Sequence, residues 1–112
     1  VMYSRGLGVV KNDEQSAYWF SKAARAGYLK AQNKLGILYS EGKGLEKDEK
    51  KAFHWFEAAA EKGYAKAQFN LAVMYDKGIG VAKDVSKAIM WYRKAATQGN
   101  VAAQKRLKQL HS

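Results

Sequence analysis

The residues that could carry out chemistry are few in this chain of 112 residues and lie far apart in the sequence. His54 and His111 are its only histidines, and neither has acidic neighbours at the spacing of a metal site. The chain has no cysteine, which excludes both a disulfide framework and a thiolate metal site. We therefore predict that it holds no metal ion and no cofactor.

The acidic residues and the glycine pairs do not form a catalytic pattern either. Asp13, Asp48 and Asp84 stand near predicted helix starts, where a carboxylate serves as an N-cap rather than as one of a catalytic pair. A pair such as Gly42-x-Gly44 can cradle phosphate when it joins a strand to a helix and a lysine and a hydroxyl follow. Here the pairs are predicted to join two helices. We predict no catalytic residue and no enzymatic activity.

A step of 36 residues organises the whole chain, and it relates Trp19 to Trp55 and Trp55 to Trp91. Many other residue types keep the same register in three copies: Tyr3, Tyr39 and Tyr75; Gly27, Gly63 and Gly99; Ala31-Gln32, Ala67-Gln68 and Ala103-Gln104; Gly6-x-Gly8, Gly42-x-Gly44 and Gly78-x-Gly80. A fixed period of this length indicates stacked structural repeats.

Each copy has the pattern of two helices joined by a glycine turn. In the second copy, apolar residues at helical spacing predict a first helix from Ala31 to Glu41, and the glycines that follow permit a tight reversal. A second helix then opens at Asp48, is expected to bury Trp55 in the core, as the other copies are expected to bury Trp19 and Trp91, and ends at Gly63. By the same register, the second helix of the first copy opens at Asn12 after its own glycine pair.

One such helix pair cannot bury its apolar face alone, so the copies must stack on one another. The small residues Gly36 and Ala72 stand where a bulky side chain would push the paired helices apart, so we expect close packing there. The sequence therefore predicts an all-α fold, a right-handed α/α superhelical solenoid of antiparallel helix-pair repeats. We treat residues 1–112 as one repeat domain with four parts. These are a partial repeat at 1–30, full repeats at 31–66 and 67–102, and a C-terminal capping helix at 103–112, within a last helix that runs from Val101 to His111.

The repeated pattern A-x-x-x-L-G-x-x-Y-x-x-G-x-G, followed by D-x-x-K-A-x-x-W-[YF]-x-x-A-A-x-x-G, resembles the Sel-one-like repeat (SLR) family, which is related to the tetratricopeptide repeats. The resemblance implies an adaptor or scaffold that binds other proteins. Some secreted members have been associated with weak penicillin binding or β-lactam hydrolysis. Those members carry a disulfide in each repeat, which this chain lacks, and hydrolysis remains only an alternative.

In tetratricopeptide domains the first helix of each pair lines a concave groove that holds a peptide. If the same geometry applies here, the groove presents an aromatic residue, Phe69, which either anchors a partner or packs on a neighbouring helix. Lysines flank it, so we expect a protein or peptide partner of acidic and apolar character. The full set of expected partner-binding residues is Lys30, Asn33, Ile37, Ser40, Lys66, Phe69, Val73, Asp76, Lys105 and Gln109.

The formal net charge of +10 leaves other partners open. Lys11, Lys47 and Lys83 recur at one register position and could form a row that binds an anionic polymer such as nucleic acid. No nucleic-acid-binding motif accompanies them, and a protein partner is favoured. The N-terminal face of the array is expected to expose apolar surface around Met2, Tyr3 and Trp19, which could promote self-association. No membrane span is predicted. The sequence does not choose between a cytoplasmic and a periplasmic or secreted location.

Overall fold

The computed structural model describes the backbone of residues 5–111 and the side chains of residues 14–110. Helices are the only regular elements in this part of the chain, and each packs mainly on the helices that precede and follow it. None of them has the length and the apolar character needed to cross a membrane. The helices are α1 (Arg5–Arg25), α2 (Leu29–Glu41), α3 (Glu49–Glu61), α4 (Ala65–Lys77), α5 (Val85–Thr97) and α6 (Val101–His111).

The turns inside the second and third repeats are built as predicted. At the end of α2, Gly42 adopts a left-handed conformation with φ of 72°, and its N–H donates to the carbonyl of Leu38. The next helix begins at Asp48, whose side chain accepts a hydrogen bond from the Lys51 N–H at 3.1 Å. The Asp48 N–H in turn donates to the carbonyl of Tyr39 at 2.9 Å, which fastens the start of α3 to the end of α2. Between α4 and α5, Gly78 and Asp84 make the corresponding hydrogen bonds one repeat later.

A glutamine in each first helix joins consecutive repeats. The Gln68 side-chain amide donates to the carbonyl of Ala60 at 3.2 Å, across the turn between α3 and α4. Gln32 and Gln104 make the matching bonds one repeat earlier and one repeat later. These bonds give the repeated Ala-Gln pairs a structural role, because each adds a second donor to a carbonyl in the last turn of a helix, which also accepts from the N–H of the glycine that follows.

Small residues let the helices approach closely, as their spacing predicts. A Cβ atom placed on Gly36 would lie 2.6 Å from the Phe56 ring, and Ala72 is fully buried at the same register position in the next repeat. The core that runs from α3 to α6 is centred on Leu71 and Tyr92, both almost fully buried. The all-α solenoid is thus confirmed.

The tryptophans lie at the margin of the core, so the prediction that all three are core residues is wrong. Trp55 and Trp91 are half-buried, and Trp19 is 63% exposed. The buried aromatic positions of the second helices are those of Phe56 and Tyr92, each one residue further along. One residue advances a helix by about 100°, so two neighbouring aromatics cannot both point into the core.

The starts of α1, α2 and α4 also differ from the prediction. α1 runs continuously from Arg5, through the expected turn at Gly6 to Gly8 and the expected helix start at Asn12. A glycine within a helix costs only about 1 kcal/mol, so a glycine pair does not by itself end a helix. The helices α2 and α4 begin two residues before the predicted repeat boundaries at 31 and 67, whereas α6 spans the predicted Val101–His111.

Candidate functional site

The first helices of the repeats, α2, α4 and α6, form one surface that contains two cavities. We call this surface the first-helix face. The larger cavity has a volume of about 390 Å³ and lies between α4, α5 and α6. Its lining residues are Phe69, Val73, Asp76, Lys77, Tyr92, Ala102, Lys105, Arg106 and Gln109.

The larger cavity combines an apolar floor with cationic groups at its rim. Phe69 is half-buried, and its ring lies 5.8 Å from the Tyr92 ring at an interplanar angle of 52°. Val73 continues the floor beside these rings. At the rim, Lys77 and Lys105 are exposed. The cavity is therefore suited to an apolar side chain that has a negative charge next to it.

A buried network forms one wall of this cavity. Asp76 is only 6% exposed, and it accepts hydrogen bonds from the Tyr92 hydroxyl at 2.9 Å and from Nε and Nη2 of Arg106 at 2.8 and 3.2 Å. The bonds from Arg106 lower the pKa of the Asp76 carboxyl, against the opposite effect of its burial. Burial, and then the bond to Asp76, raises the pKa of Tyr92. Asp76 is therefore a compensated charge within the wall.

The smaller cavity lies one repeat earlier, between α2 and α4, and has a volume of about 210 Å³. Its lining is mainly apolar, with the polar side chains of Ser40, Glu41 and Asn70 at its edge. The Asn70 amide donates to the side-chain oxygen of Asn33 at 2.9 Å and so joins α2 to α4. The remaining lining residues are Ile37, Phe56, Val73, Met74 and Ile79.

Most of the residues predicted to bind a partner line these two cavities. They are Ile37, Ser40, Phe69, Val73, Asp76, Lys105 and Gln109. Lys30 and Lys66 are exposed but line neither cavity. Phe69 packs against the core, as one of its two readings expected, and it also lines the larger cavity, where a partner could reach it. A role in binding stays a prediction for all of them.

Two of the predicted partner-binding residues, Asn33 and Asp76, do not present free polar groups to the groove. Asn33 is buried, and its side-chain oxygen is bonded to Asn70, so it serves the packing of α2 on α4. Asp76 does not present a free negative charge to the groove, because Arg106 and Tyr92 compensate it. Both differences arise because the hydrogen-bond partners lie about one repeat away in the sequence or on the facing helix. The helical pattern of a single repeat does not reveal such partners.

The sequence reasoning missed Tyr92, Arg106 and Asn70 as residues of the cavities. Tyr92 did leave a signal, because the other copies have Phe20 and Phe56 at its position and the added hydroxyl needs a partner in the interior. Arg106 has no comparable signal, since an arginine in a C-terminal helix usually faces water.

The other candidates for chemistry are dispersed over the described part of the chain. His54 is exposed and packs edge-on to Trp55, with ring centroids 5.8 Å apart. The side chains of residues 14–110 include no group of three His, Asp or Glu residues that could hold a metal ion. His111, Asp13 and Lys11 lie outside the described side chains. Lys47 and Lys83 are exposed on the turns.

Exposed aromatic residues mark the surface of α1 and the turn that follows it. Tyr18, Trp19 and Tyr28 are all more than half exposed. The Lys22 ammonium lies 5.0 Å from the centre of the Tyr18 ring and 5.5 Å from that of Trp19. Exposure of Trp19 was expected for a surface that could self-associate, whereas Met2 and Tyr3, named with it, lie outside the described residues.

Comparison with known proteins identifies the repeat. The family model of the Sel1 repeat matches residues 1–28, 29–64 and 65–100. These limits have the predicted period, displaced by two residues from the boundaries predicted at 31 and 67. No curated protein sequence matches the chain.

Bacterial proteins of known structure share this fold. One is c5321, a protective antigen of uropathogenic Escherichia coli strains that displays an SLR fold; it is 39% identical over 88% of this chain, with a TM-score of 0.87. A Sel1 repeat protein from Oxalobacter formigenes is 37% identical over 84% of this chain, with a TM-score of 0.80. The chain spans 21% and 39% of the lengths of these two proteins. Helicobacter pylori cysteine-rich protein B shares the fold at 22% identity, with 90% of each chain covered and a TM-score of 0.77.

Proposed function

Because the chain belongs to the Sel1 repeat family, we propose that it is a non-enzymatic interaction module that binds a partner protein on its first-helix face. Repeats of this family typically serve as protein-interaction modules, and a stacked array offers a long, rigid surface for that purpose. The partner segment would be extended, with both apolar and acidic side chains.

The single observation that supports this proposal is the larger cavity. Its floor consists of Phe69, Val73 and Tyr92, which the core holds in place, and its rim carries Lys77 and Lys105. Interfaces draw most of their affinity from a few apolar anchors that enter such pockets, while charges at the rim contribute to specificity and to the rate of association. The ion pair between partly exposed Arg106 and buried Asp76 joins α4 to α6 at this wall without adding net charge.

The proposal can be tested by affinity capture from a lysate of the source organism, with and without nuclease treatment. The test variant is Lys77→Glu with Lys105→Glu, which reverses both charges at the rim of the larger cavity. The matched control is Lys47→Glu with Lys83→Glu, which makes the same change in net charge on the turns. All four side chains are exposed, so both variants are expected to keep the fold.

The proposal predicts a discrete, nuclease-resistant protein that is captured by the wild type and by the control variant and is lost with the rim variant. Material that is sensitive to nuclease and lost only with the control variant would instead assign the function to binding of an anionic polymer by the lysines of the turns. The salt dependence of binding distinguishes the two outcomes further. The logarithm of the affinity for an anionic polymer falls steeply and linearly with the logarithm of the salt concentration.

A further inference from the structure

The two cavities of the first-helix face are the same site in consecutive repeats. Six residues of the smaller cavity, each moved forward by one repeat of 36 residues, become residues of the larger one. The correspondence covers both floor and edge, as in the pairs Ile37 with Val73, Phe56 with Tyr92, and Asn70 with Arg106. The surface therefore offers two anchor sites in a fixed geometric relation.

The charges around the two sites differ. Glu41 stands at the edge of the smaller cavity where Lys77 stands at the edge of the larger, and the larger cavity has Lys105 in addition. Glu41 does lie 3.8 Å from the Lys43 ammonium, but both side chains are at least half exposed, so that contact is weak. An acidic group on a ligand is therefore attracted to the larger cavity and not to the smaller one.

The spacing of the two sites fixes the spacing of the anchors. Side chains join α2 directly to α4 through Asn33 and Asn70, and α4 to α6 through Asp76 and Arg106. The hydrogen bond of 2.9 Å between the Asn33 and Asn70 side chains, each of which reaches about 3.5 Å from its Cα atom, keeps the two Cα atoms within roughly 10 Å of each other. In a polyproline II segment the residues i and i+3 share one face, about 9 Å apart. An anchor spacing of three residues thus matches the step between the cavities.

We propose that the first-helix face recognises a polyproline II segment with two apolar side chains three residues apart, one in each cavity, and with acidic residues next to the anchor in the larger cavity. This inference rests on the proposed function and adds to it the register and the polarity of the partner segment. The short, rigid segment also loses little conformational entropy on binding, which favours a shallow site of this kind.

Calorimetric titration with synthetic peptides tests the inference directly. The probes are acetylated and amidated peptides of sequence GLPPLEEG and its opposite polarity GEELPPLG, because the direction of the chain along the groove is open. The controls for whichever of these binds are a peptide with one leucine replaced by glycine, a peptide with one more proline between the leucines, and a peptide with lysines for the glutamates.

We expect one of the two probes to bind saturably. Loss of one leucine, or the added proline, should weaken binding about tenfold, which corresponds to burial of part of one leucine side chain. The Lys77→Glu, Lys105→Glu variant should prefer the lysine peptide to the glutamate peptide, and the Lys47→Glu, Lys83→Glu control should keep the preference of the wild type.

The inference is overturned if neither probe binds at millimolar concentration, or if the one-leucine and displaced-leucine peptides bind as well as the probe. In that case the proposed function still stands, provided that the captured protein depends on Lys77 and Lys105. If capture depends instead on Lys47 and Lys83, the proposed function itself fails.

Discussion

Asp76 and Arg106 lie 30 residues apart in the sequence and form a bidentate ion pair, with Nε to Oδ2 at 2.8 Å and Nη2 to Oδ1 at 3.2 Å. The pair joins α4 to α6 and forms one wall of the larger cavity. In the preceding repeat the corresponding positions hold Ser40 and Asn70, and no ion pair joins them. A charge pair thus joins α4 to α6, whereas a hydrogen bond between two asparagines joins α2 to α4.

The hydroxyl of Tyr92 should contribute measurably to stability. Tyr92→Phe removes the donor to Asp76 and leaves that buried carboxylate with one bond fewer. We expect the free energy of unfolding to fall by about 1.5–3 kcal/mol in urea denaturation, the usual range for a hydrogen bond to a charged group. The control is Tyr64→Phe, whose hydroxyl has no hydrogen-bond partner among the described residues. Equal effects of the two changes would contradict the role given to the network.

Asp76 should make stability sensitive to acid. Its pKa lies below the ordinary value of 3.8, because Arg106 stabilises the charged form. A lowered pKa in the folded state contributes stability that is present above the unfolded value and is lost as the pH falls through the folded value. The difference in unfolding free energy between the wild type and Asp76→Asn should therefore be constant above about pH 5 and shrink below pH 4. A difference that does not change down to pH 2 would show that the carboxylate is not stabilised.

Lys62→Gln should stabilise the second repeat. Gln98, at the same position in the third repeat, donates to the carbonyl of Gly63 and to the side-chain oxygen of Gln68, each at 2.9 Å. In the second repeat the corresponding oxygen, on Gln32, is buried without a partner. Lys62 and Gln98 have almost the same backbone angles, so a glutamine at 62 can make both bonds.

We expect Lys62→Gln to raise the free energy of unfolding by about 1 kcal/mol, as one or two hydrogen bonds would. The reciprocal change, Gln98→Lys, should lower it by a similar amount. Thermal unfolding of the two variants beside the wild type measures both. If Lys62→Gln has no effect while Gln98→Lys destabilises, the equivalence of the two repeats at this position is wrong.

Much of the fold could be predicted from the sequence, because each residue pattern that determines a structural feature occurs in more than one repeat. The period gave the helix pairs, and the residue types at fixed positions gave Asp48 and Asp84 as N-caps and Gly36 and Ala72 as close-packing sites. The tryptophans were predicted to be more buried than they are, because repetition shows that a position is constrained and does not show whether its side chain faces the core. The cavities were only partly predictable, since their wall depends on Asp76 meeting residues that are unique to the last repeat.

Alanine substitutions should distinguish fully buried positions from those at the edge of the core by the unfolding free energy that each one costs. Leu71 is fully buried, so Leu71→Ala should cost about 2–5 kcal/mol of unfolding free energy, through the transfer of the lost methyl groups and the cavity left behind. Trp55→Ala should cost less, although it removes a larger side chain, because half-buried Trp55 lies at the edge of a smaller cluster. Urea denaturation measures both, and a greater loss for Trp55→Ala would mean that the core is misplaced.

The most direct measurement of the central claim is chemical-shift mapping of the chain by NMR, with the captured partner added in steps. The account predicts that the largest changes fall on residues of the two cavities, such as Ile37, Val73 and Ala102, and that Lys47 and Lys83 on the turns change little. Changes centred on those lysines, or on the exposed aromatic residues of α1, with the cavities unaffected, would contradict it.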